Sequence, residues 1–236
     1  MIDFHSHILP DMDDGSKSVS ESIDMLRLSF SMGIDTIVST SHYYAGCDTI
    51  SSFLVRRNEK QQLLIHNLEG IIETPKIVMG AEVAFFSGMS REKEIARLCI
   101  DSTKYMLIEM PFSEWSSLTI NEVKSLITNR GITPILAHIE RYLTYQKKNG
   151  KIAELLNLGV ILQINSEALI NCPYKRDILK MIDKNQIHLL GSDCHNMSNR
   201  KPNLDLAFKA ITRKLGNSTL NNIDFYGRRI LSDKCL

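Results

Sequence analysis

The sequence is poor in cysteine, and it has neither a long apolar run nor a leader-like start. Its five cysteines contain no CxxC pair, a pattern that does not support a disulfide framework. No stretch reaches the roughly 18 apolar residues of a transmembrane helix. The first residues, MIDFHSH, lack the basic start and the apolar core of a signal peptide. We therefore expect a cytoplasmic protein with no membrane insertion.

The chain also lacks an excess of charge of either sign. It carries 28 basic and 27 acidic residues, for a net charge of +1, which gives no general attraction to nucleic acid or to anionic membranes. No linker rich in proline, glycine or serine divides the 236 residues. We expect one globular domain, residues 1–236, without a nucleic-acid partner.

A repeated pattern of helix, glycine and β-branched strand runs through the sequence. It occurs in SMGIDTIVSTSH (31–42), NRGITPILAH (129–138) and NLGVILQINS (157–166). The glycines Gly33, Gly131 and Gly159 fit the left-handed cap that ends a helix. Further strands are predicted at 2–5, 76–82, 105–110 and 187–192, and helices near 19–32, 51–72, 90–98, 119–130, 151–158, 175–184 and 204–215.

Seven strands that alternate with helices predict a parallel sheet with helical crossovers. We expect an α/β fold in which this sheet is closed, or nearly closed, as a TIM-like barrel. In such barrels the reacting groups gather at the carboxyl ends of the strands. The polar residues that follow the predicted strands are therefore the candidates for function.

Nine histidines and acidic residues lie at these strand ends or in the loops just after them, and they include five of the seven histidines in the chain. Imidazole and carboxylate without thiolate favour a multinuclear site for Mn, Fe or Zn. The pattern predicts a metal-dependent hydrolase. The nine candidates are His5, His7, Asp14, His42, Glu82, Glu109, His138, Asp193 and His195.

The spacing of some of these candidates supports metal binding. His5 and His7, two residues apart on a strand, present both imidazoles to the same side. Glu82 is the candidate bridge, because a carboxylate has two oxygens and can contact two cations. Surface carboxylates and hydrogen-bonded core histidines are the ordinary alternatives for such residues. In the acidic loop, Asp11, Asp13 and Asp14 compete, and the residues alone leave that choice open.

The sequence resembles the PHP (polymerase and histidinol phosphatase) superfamily. It is most similar to the bacterial manganese-dependent protein-tyrosine phosphatases of capsular and exopolysaccharide operons. The resemblance covers nearly the whole chain, and the DDG loop and HIERY are specific to this branch. It is carried by MIDFHSHILPDMDDGSKS, IVSTSHY, GAEV, LIEM, ITPILAHIERY, QINS and SDCHN.

The resemblance implies a distorted (β/α)7 barrel and selects Asp14 as the ligand from the acidic loop. It implies that Arg141 and Arg200 bind the substrate phosphate and serve catalysis. The implied partner is a phosphotyrosine protein, namely an autophosphorylated bacterial tyrosine kinase that controls polysaccharide synthesis. Three divalent ions, typically Mn²⁺ with Fe or Zn as alternatives, are implied in three ligand groups: His5, His7, Glu82 and Asp193; Glu82, Glu109 and His138; and Asp14, His42 and His195.

The sequence departs from the family at the rim of the expected site. Tyr43 and Tyr44 follow His42, where some relatives carry basic residues or histidines. Tyr43 is our predicted substrate contact, and both tyrosines lie beside ligands as candidates to flank an aromatic substrate ring, with core or rim packing an equal alternative for each. Lys201 interrupts the Arg-Pro-Pro of close relatives. These departures concern substrate preference.

Other readings of the sequence compete with this one. Cys194 and Arg200 form a C-x5-R string, the outline of a cysteine-dependent phosphatase loop. The intervening HNMSN has no glycine, although such a loop must turn its backbone amides toward phosphate. A small-molecule phosphatase acting on histidinol phosphate is the main alternative, with the same metals. The near-neutral net charge of the chain disfavours a nuclease, which binds the phosphate backbone through clustered Lys and Arg. Nine ligands shared among three ions would leave open coordination positions, which disfavours metals with a purely structural role.

Overall fold

A computed structural model of the protein describes residues 1–146 and 149–232. The strands in these ranges all pair in parallel. They are β1 (Ile2–Ser6), β2 (Thr36–Ser39), β3 (His42–Tyr43), β4 (Lys76–Met79), β5 (Glu82–Ala84), β6 (Tyr105–Glu109), β7 (Thr133–Leu136), β8 (Ile161–Asn165) and β9 (Leu189–Gly191). The helices are α1 (Val19–Ser31), α2 (Ile50–Asn67), α3 (Ser117–Arg130), α4 (Leu143–Gln146), α5 (Lys151–Asn157), α6 (Lys175–Asp183), α7 (Leu204–Leu215) and α8 (Asn217–Leu231).

The strands form one curled parallel arrangement made of two sheets. The first sheet has the order β1-β2-β4, and the second has the order β3-β5-β6-β7-β8-β9. The segment that follows β9 lies beside the end of β1. The Asp193 N–H donates to the His5 carbonyl at 2.7 Å, and the His7 N–H donates to the Cys194 carbonyl at 2.9 Å. The carboxyl ends of strands from both sheets therefore face one shared opening.

Two of the predicted strands are each broken in two. The strand predicted after Gly33, within 31–42, forms β2 and β3, and the one predicted at 76–82 forms β4 and β5. The chain passes from the first sheet to the second at both breaks. A side chain at Gly80 would lie 3.3 Å from Val38 and from Ile100, so the crowded break favours glycine. The breaks bring His42 and Glu82 into register as paired neighbours.

Several of the parallel strands are buried along nearly their whole length. Every residue of β1 and β8 is buried, as expected for parallel strands covered on both faces. The predicted left-handed glycine caps are confirmed, with φ of 85° at Gly33, 65° at Gly131 and 84° at Gly159. None of the described helices combines the length and the apolar character needed to cross a membrane. Cysteines 47, 99, 172 and 194 are not joined in disulfides, and Cys235 lies outside the described residues.

Two local predictions need correction. The helix predicted at 90–98 is instead two 3-10 turns, Met89–Arg91 and Ile95–Leu98. The chain is extended at Glu92 between them, and the Ser90 N–H donates to the Glu122 carboxylate at 2.7 Å rather than within a helix. Helix α8 was not predicted, since it begins with weak helix formers and contains Gly227. That glycine is required by packing, because a Cβ there would lie 2.6 Å from the Phe4 ring.

Candidate metal centre

All nine candidate ligands lie at the shared opening formed by the carboxyl ends of the strands. His5 is in β1, His42 and Glu82 begin β3 and β5, and Glu109 ends β6. The remaining five come from the loops that follow β1, β7 and β9: His7, Asp14, His138, Asp193 and His195. The structure thus brings together side chains that are separated by up to 190 residues, as predicted from their positions at the carboxyl ends of strands.

Glu82 is the centre of this cluster. Its Oε2 lies 3.0 Å from His5 Nε2, 3.2 Å from His7 Nε2 and 3.2 Å from His42 Nδ1. Its Oε1 lies 3.0 Å from His138 Nε2. The side chain is only 1% exposed. One carboxylate therefore contacts four imidazoles from four different strands or loops.

Two further carboxylates extend the cluster on either side of the histidines. Asp193 Oδ1 lies 3.5 Å from the Nε2 atoms of both His5 and His7. Asp14 Oδ1 lies 3.3 Å from His195 Nε2 and 3.6 Å from His42 Nε2. The Asp14 side chain is 61% exposed, so this side of the cluster is open to solvent.

The structure distinguishes the three aspartates of the acidic loop. Asp14 Oδ1 faces the imidazoles of His42 and His195, and its side chain stays exposed. Asp13 accepts hydrogen bonds from His7 Nδ1 and from the His42 backbone N–H, both at 2.8 Å. Asp11 pairs with Lys60 on the surface. Asp13 thus orients two histidines, a role that sequence reasoning did not assign.

Among the described residues, three groups have ligand atoms within 4.8 Å of one another, as a metal ion requires: His7, Asp14, His42 and His195; His5, His7 and Asp193; and His42, Glu82 and Glu109. These groups overlap strongly with those implied by the family resemblance. There are three differences: His7 also joins the Asp14 group, Glu82 is not grouped with His5, His7 and Asp193, and His42 takes the place of His138 beside Glu82 and Glu109. His138 Nε2 nonetheless lies 3.4 Å from Glu109 Oε1.

The donor set fits divalent cations. It consists of imidazole nitrogens and carboxylate oxygens, the ligands of Mn, Fe and Zn. Glu82 Oε2, His42 Nδ1 and His195 Nε2 are buried and lie within 3.3 Å of an ionisable partner, yet none of them makes a hydrogen bond of good geometry. Poorly satisfied polar atoms are costly to bury, which supports a site that holds cations here.

Neighbouring charges and burial shift the pKa values of the groups in this cluster. Burial raises the pKa of Glu82, but the adjacent His5 and the hydrogen bond from His138 lower it well below its ordinary value. Burial alone would lower the pKa of His7, but the neighbouring Asp13 and Glu82 have the larger effect and raise it to about 10. Burial together with the neighbouring His7 lowers the pKa of His195 to about 4. The carboxylates thus concentrate negative charge that attracts either protons or metal ions to the same nitrogens.

Two of the candidate ligands have strained backbones. His138 has φ of 36° and Asp193 has φ of 53°, a left-handed conformation that is uncommon for residues other than glycine. The His138 N–H donates to Gln163 Oε1 at 2.8 Å. Such strain persists only where the surrounding structure imposes it, and it is frequent at functional sites.

Sequence reasoning missed a second layer of polar residues on β8. Gln163 Oε1 lies 3.4 Å from His5 Nδ1, and Gln163 Nε2 donates to Asn165 Oδ1 at 3.0 Å. Asn165 Nδ2 in turn donates to Asp193 Oδ2 at 2.9 Å. Polar residues two apart in a buried strand require partners, and QIN was the signal for this chain of hydrogen bonds.

The two candidate phosphate-binding arginines meet at Asp193. Arg141 Nη2 lies 2.5 Å and Arg200 Nη2 lies 2.9 Å from Asp193 Oδ2. Both side chains are partly exposed, so their remaining N–H groups are available at the opening. Arg200 also lies 3.9 Å from Asp14. The two guanidiniums therefore form a cationic border on the Asp193 side of the cluster.

The predicted substrate contact of Tyr43 needs correction. The Tyr43 side chain is 3% exposed and packs edge-on against Phe53 in the core, with ring centroids 5.4 Å apart. The alternation of a strand points neighbouring side chains to opposite faces, so Tyr44 faces the site instead. Its ring stacks on His42 at 5.2 Å. Burial and the carboxylates of Glu109 and Glu82 raise the pKa of Tyr44 to about 12.

The position of Cys194 excludes the cysteine-phosphatase reading. Its side chain is fully buried beside Ile8 and Leu9, and burial raises the pKa of its thiol far above the ordinary value. A reactive cysteine needs a thiolate that substrate can reach. We expect Cys194→Ala to retain most of the wild-type activity toward a phosphotyrosyl peptide, measured as kcat/KM. Complete loss of activity in a folded Cys194→Ala protein would restore that reading.

Comparison with known proteins agrees with this geometry. A family model for capsular polysaccharide synthesis, CpsB/CapC, matches residues 1–230. The chain is 33% identical over 233 residues to tyrosine-protein phosphatase CpsB of Streptococcus agalactiae serotype III (strain NEM316), with 94% of each chain covered. It is 33% identical over 228 residues to the CpsB of Streptococcus pneumoniae, with 92% of this chain and 91% of that one covered.

The fold is also similar to that of a solved structure. A chain from the crystal structures of YwqE from Bacillus subtilis and CpsB from Streptococcus pneumoniae, which are metal-dependent tyrosine phosphatases, matches with a TM-score of 0.87 and 26% identity. The match covers 100% of this chain and 96% of that chain. Sequence, fold and the matching family model agree, and the protein belongs to the capsular polysaccharide synthesis family CpsB/CapC.

Proposed function

We propose that this protein is a metal-dependent protein-tyrosine phosphatase, a phosphoric monoester hydrolase that acts in capsular or exopolysaccharide synthesis. The observation that carries the proposal is the cluster around Glu82, in which one buried carboxylate contacts four imidazoles beside two arginines. The names of the relatives support the same activity. The nine converging ligands match the requirements of a multinuclear hydrolase site.

The cluster is proposed to hold three divalent cations, with Mn²⁺ as the preferred ion and Fe or Zn as alternatives. Glu82 is the proposed bridge, since its two oxygens face different histidines. When bound, such cations supply a water with a pKa of about 7 and offset the negative charge of the phosphate. The proposed ligands are His5, His7, Asp14, His42, Glu82, Glu109, His138, Asp193 and His195.

The protein's own groups have separate tasks in this proposal. Arg141 and Arg200 bind phosphate oxygens, because a planar guanidinium can donate two hydrogen bonds to one phosphate. Asp193 holds both guanidiniums in place, and Asn165 supports Asp193 from behind. The leaving phenol has a pKa near 10, so it departs more readily than an alkoxide and depends less on a strong general acid.

We further infer that the fold is the distorted (β/α)7 barrel of the PHP superfamily, in one domain that spans 1–236. The backbone hydrogen bonds that join the residues after β9 to the end of β1 support closure of the barrel. Counting β2 with β3 and β4 with β5 gives the seven strand positions of such a barrel. The substrate proposed for this site is a phosphotyrosine protein of the cytoplasm, an autophosphorylated tyrosine kinase of the polysaccharide machinery.

Removal of metal tests the mechanism directly. We expect complete chelation to lower kcat/KM for a phosphotyrosyl peptide by more than about 100-fold, because the cations supply several kcal/mol of the transition-state stabilisation. Addition of Mn²⁺ after removal of the chelator should restore activity. Activity that survives complete chelation, verified by metal analysis, would contradict the proposal.

A small-molecule phosphatase with the same metals is the second candidate. The open, solvent-exposed Asp14 side of the cluster is compatible with both substrates. A comparison of kcat/KM for histidinol phosphate with that for a phosphotyrosyl peptide decides between them. A preference for histidinol phosphate would overturn the tyrosine-phosphatase assignment and leave the metal site intact.

A further inference from the structure

Two aromatic side chains at the site remain exposed although each stacks on a candidate metal ligand. Tyr44 is 44% exposed and its ring lies 5.2 Å from that of His42, at an interplanar angle of 27°. Phe112 is 48% exposed and its ring lies 5.9 Å from that of His138, at 17°. Isolated exposed apolar residues are ordinary, but these two rings pack on imidazoles of the candidate metal centre.

The two rings border the same part of the cluster. The imidazole beneath Tyr44 contacts Glu82 Oε2, and the imidazole beneath Phe112 contacts Glu82 Oε1. Glu109 lies between them, since it groups with His42 and Glu82 and lies 3.4 Å from His138. The opening over Glu82 and Glu109 therefore has an aromatic side chain on either side.

The other border of the site is cationic. Arg141 and Arg200 both contact Asp193 Oδ2, the oxygen that also accepts from Asn165 at the end of β8. The site thus offers guanidiniums for a phosphate at one border and aromatic faces at the other. An aryl phosphate monoester has an anionic phosphate at one end and an aromatic ring at the other, whereas an alkyl phosphate lacks the ring.

The rest of the structure holds both rings in place. The Phe112 ring packs 5.3 Å from that of the buried Tyr142, whose hydroxyl accepts a hydrogen bond from the Met110 N–H at 2.9 Å. The Trp115 Nε1–H donates to the Pro111 carbonyl at 3.1 Å. At Tyr44 the carbonyl accepts from two backbone N–H groups of the following turn. Ordered aromatic faces lose little entropy when a ring binds them.

We propose that Tyr44 and Phe112 form an aryl-binding subsite that receives the ring of an aryl phosphate while Arg141 and Arg200 bind its phosphate. The subsite rests on the proposed phosphatase function and adds the origin of its preference for phosphotyrosine. Aromatic pairs contribute beyond simple burial of area, so each ring is expected to strengthen binding of an aryl ligand several-fold.

The test compares two inert ligands that share a phosphonate and differ in the ring. Binding of benzylphosphonate and of methylphosphonate to the Mn²⁺-loaded protein is measured by calorimetry. We expect Tyr44→Ala and Phe112→Ala each to weaken benzylphosphonate binding by about 3- to 10-fold, with methylphosphonate binding unchanged. Tyr44→Phe and Phe112→Tyr keep a ring and should retain the wild-type affinity.

Phe225→Ala is the matched control, because Phe225 is an exposed phenyl on α8, away from the site. It should alter neither affinity. Equal losses for both phosphonates in the alanine variants would overturn the subsite, since the rings would then only support the imidazoles beneath them. Unchanged benzylphosphonate binding would overturn it as well.

The failure of the subsite is distinguishable from failure of the proposed function. If the wild-type protein does not hydrolyse a phosphotyrosyl peptide, the function fails and the subsite with it. If hydrolysis proceeds and the alanine variants keep the wild-type ratio of aryl to alkyl affinity, only the subsite is wrong.

Discussion

Glu82→Gln is expected to lower kcat/KM for a phosphotyrosyl peptide by at least about 1000-fold, since Glu82 would hold cations that supply several kcal/mol of transition-state stabilisation when bound. Glutamine keeps the shape of the side chain but has one neutral oxygen and an NH₂ group that repels cations. The four imidazoles around it would lose their common carboxylate. Steady-state kinetics and metal analysis of the same preparation measure both effects.

Glu69→Gln provides the control for this substitution. Glu69 is an exposed carboxylate just after α2, and the same chemical change there should alter neither activity nor metal content. Thermal unfolding of both variants separates a damaged site from a damaged fold. A Glu82→Gln protein that keeps its metals and most of its activity would show that Glu82 is not a bridging ligand.

Arg141→Ala and Arg200→Ala are each expected to lower kcat by about 100- to 1000-fold, the usual effect of removing one group that stabilises charge in a transition state. Metal content should be unchanged, because neither arginine is a proposed ligand. Arg141→Lys should recover only part of the loss, since an ammonium lacks the planar fork of a guanidinium. Kinetics with the phosphotyrosyl peptide, together with metal analysis, test these expectations.

The two arginines also act on one shared carboxylate oxygen, so their effects are not expected to be independent. The double variant should lose less activity than the product of the single losses. Arg97→Ala is the matched control, because Arg97 is an exposed arginine that pairs with Glu94 away from the site. Full additivity in the double variant would show that the guanidiniums bind the phosphate separately.

Part of this site could be predicted from residue types and their positions in the chain. Glu82, Glu109 and His138 each follow an apolar β-branched run, and parallel strands place their carboxyl ends at one edge. A one-dimensional pattern therefore indicated which side chains meet. It also indicated oxygen and nitrogen chemistry, because these ligand types are properties of the residues themselves.

Other features depend on contacts between distant segments. Asp13 and Asp14 are chemically identical neighbours, and only the fold of their loop directs one toward His7 and the other toward His195. Tyr43 and Tyr44 differ in the same way, because the position of β3 against Phe53 decides which ring is buried. Phe112 gave no signal in the sequence, since its role depends on the position of His138.

The sequence alone determined the kind of fold and the chemical character of the cluster, because periodicity, glycine caps and ligand types are local properties of the chain. Tertiary structure decided where the strands break, which aspartate faces the histidines and which aromatic rings border the opening. It also decided that α8 forms, with Gly227 against Phe4. These outcomes depend on packing between segments far apart in the chain, and that packing exists only once the whole sheet has curled.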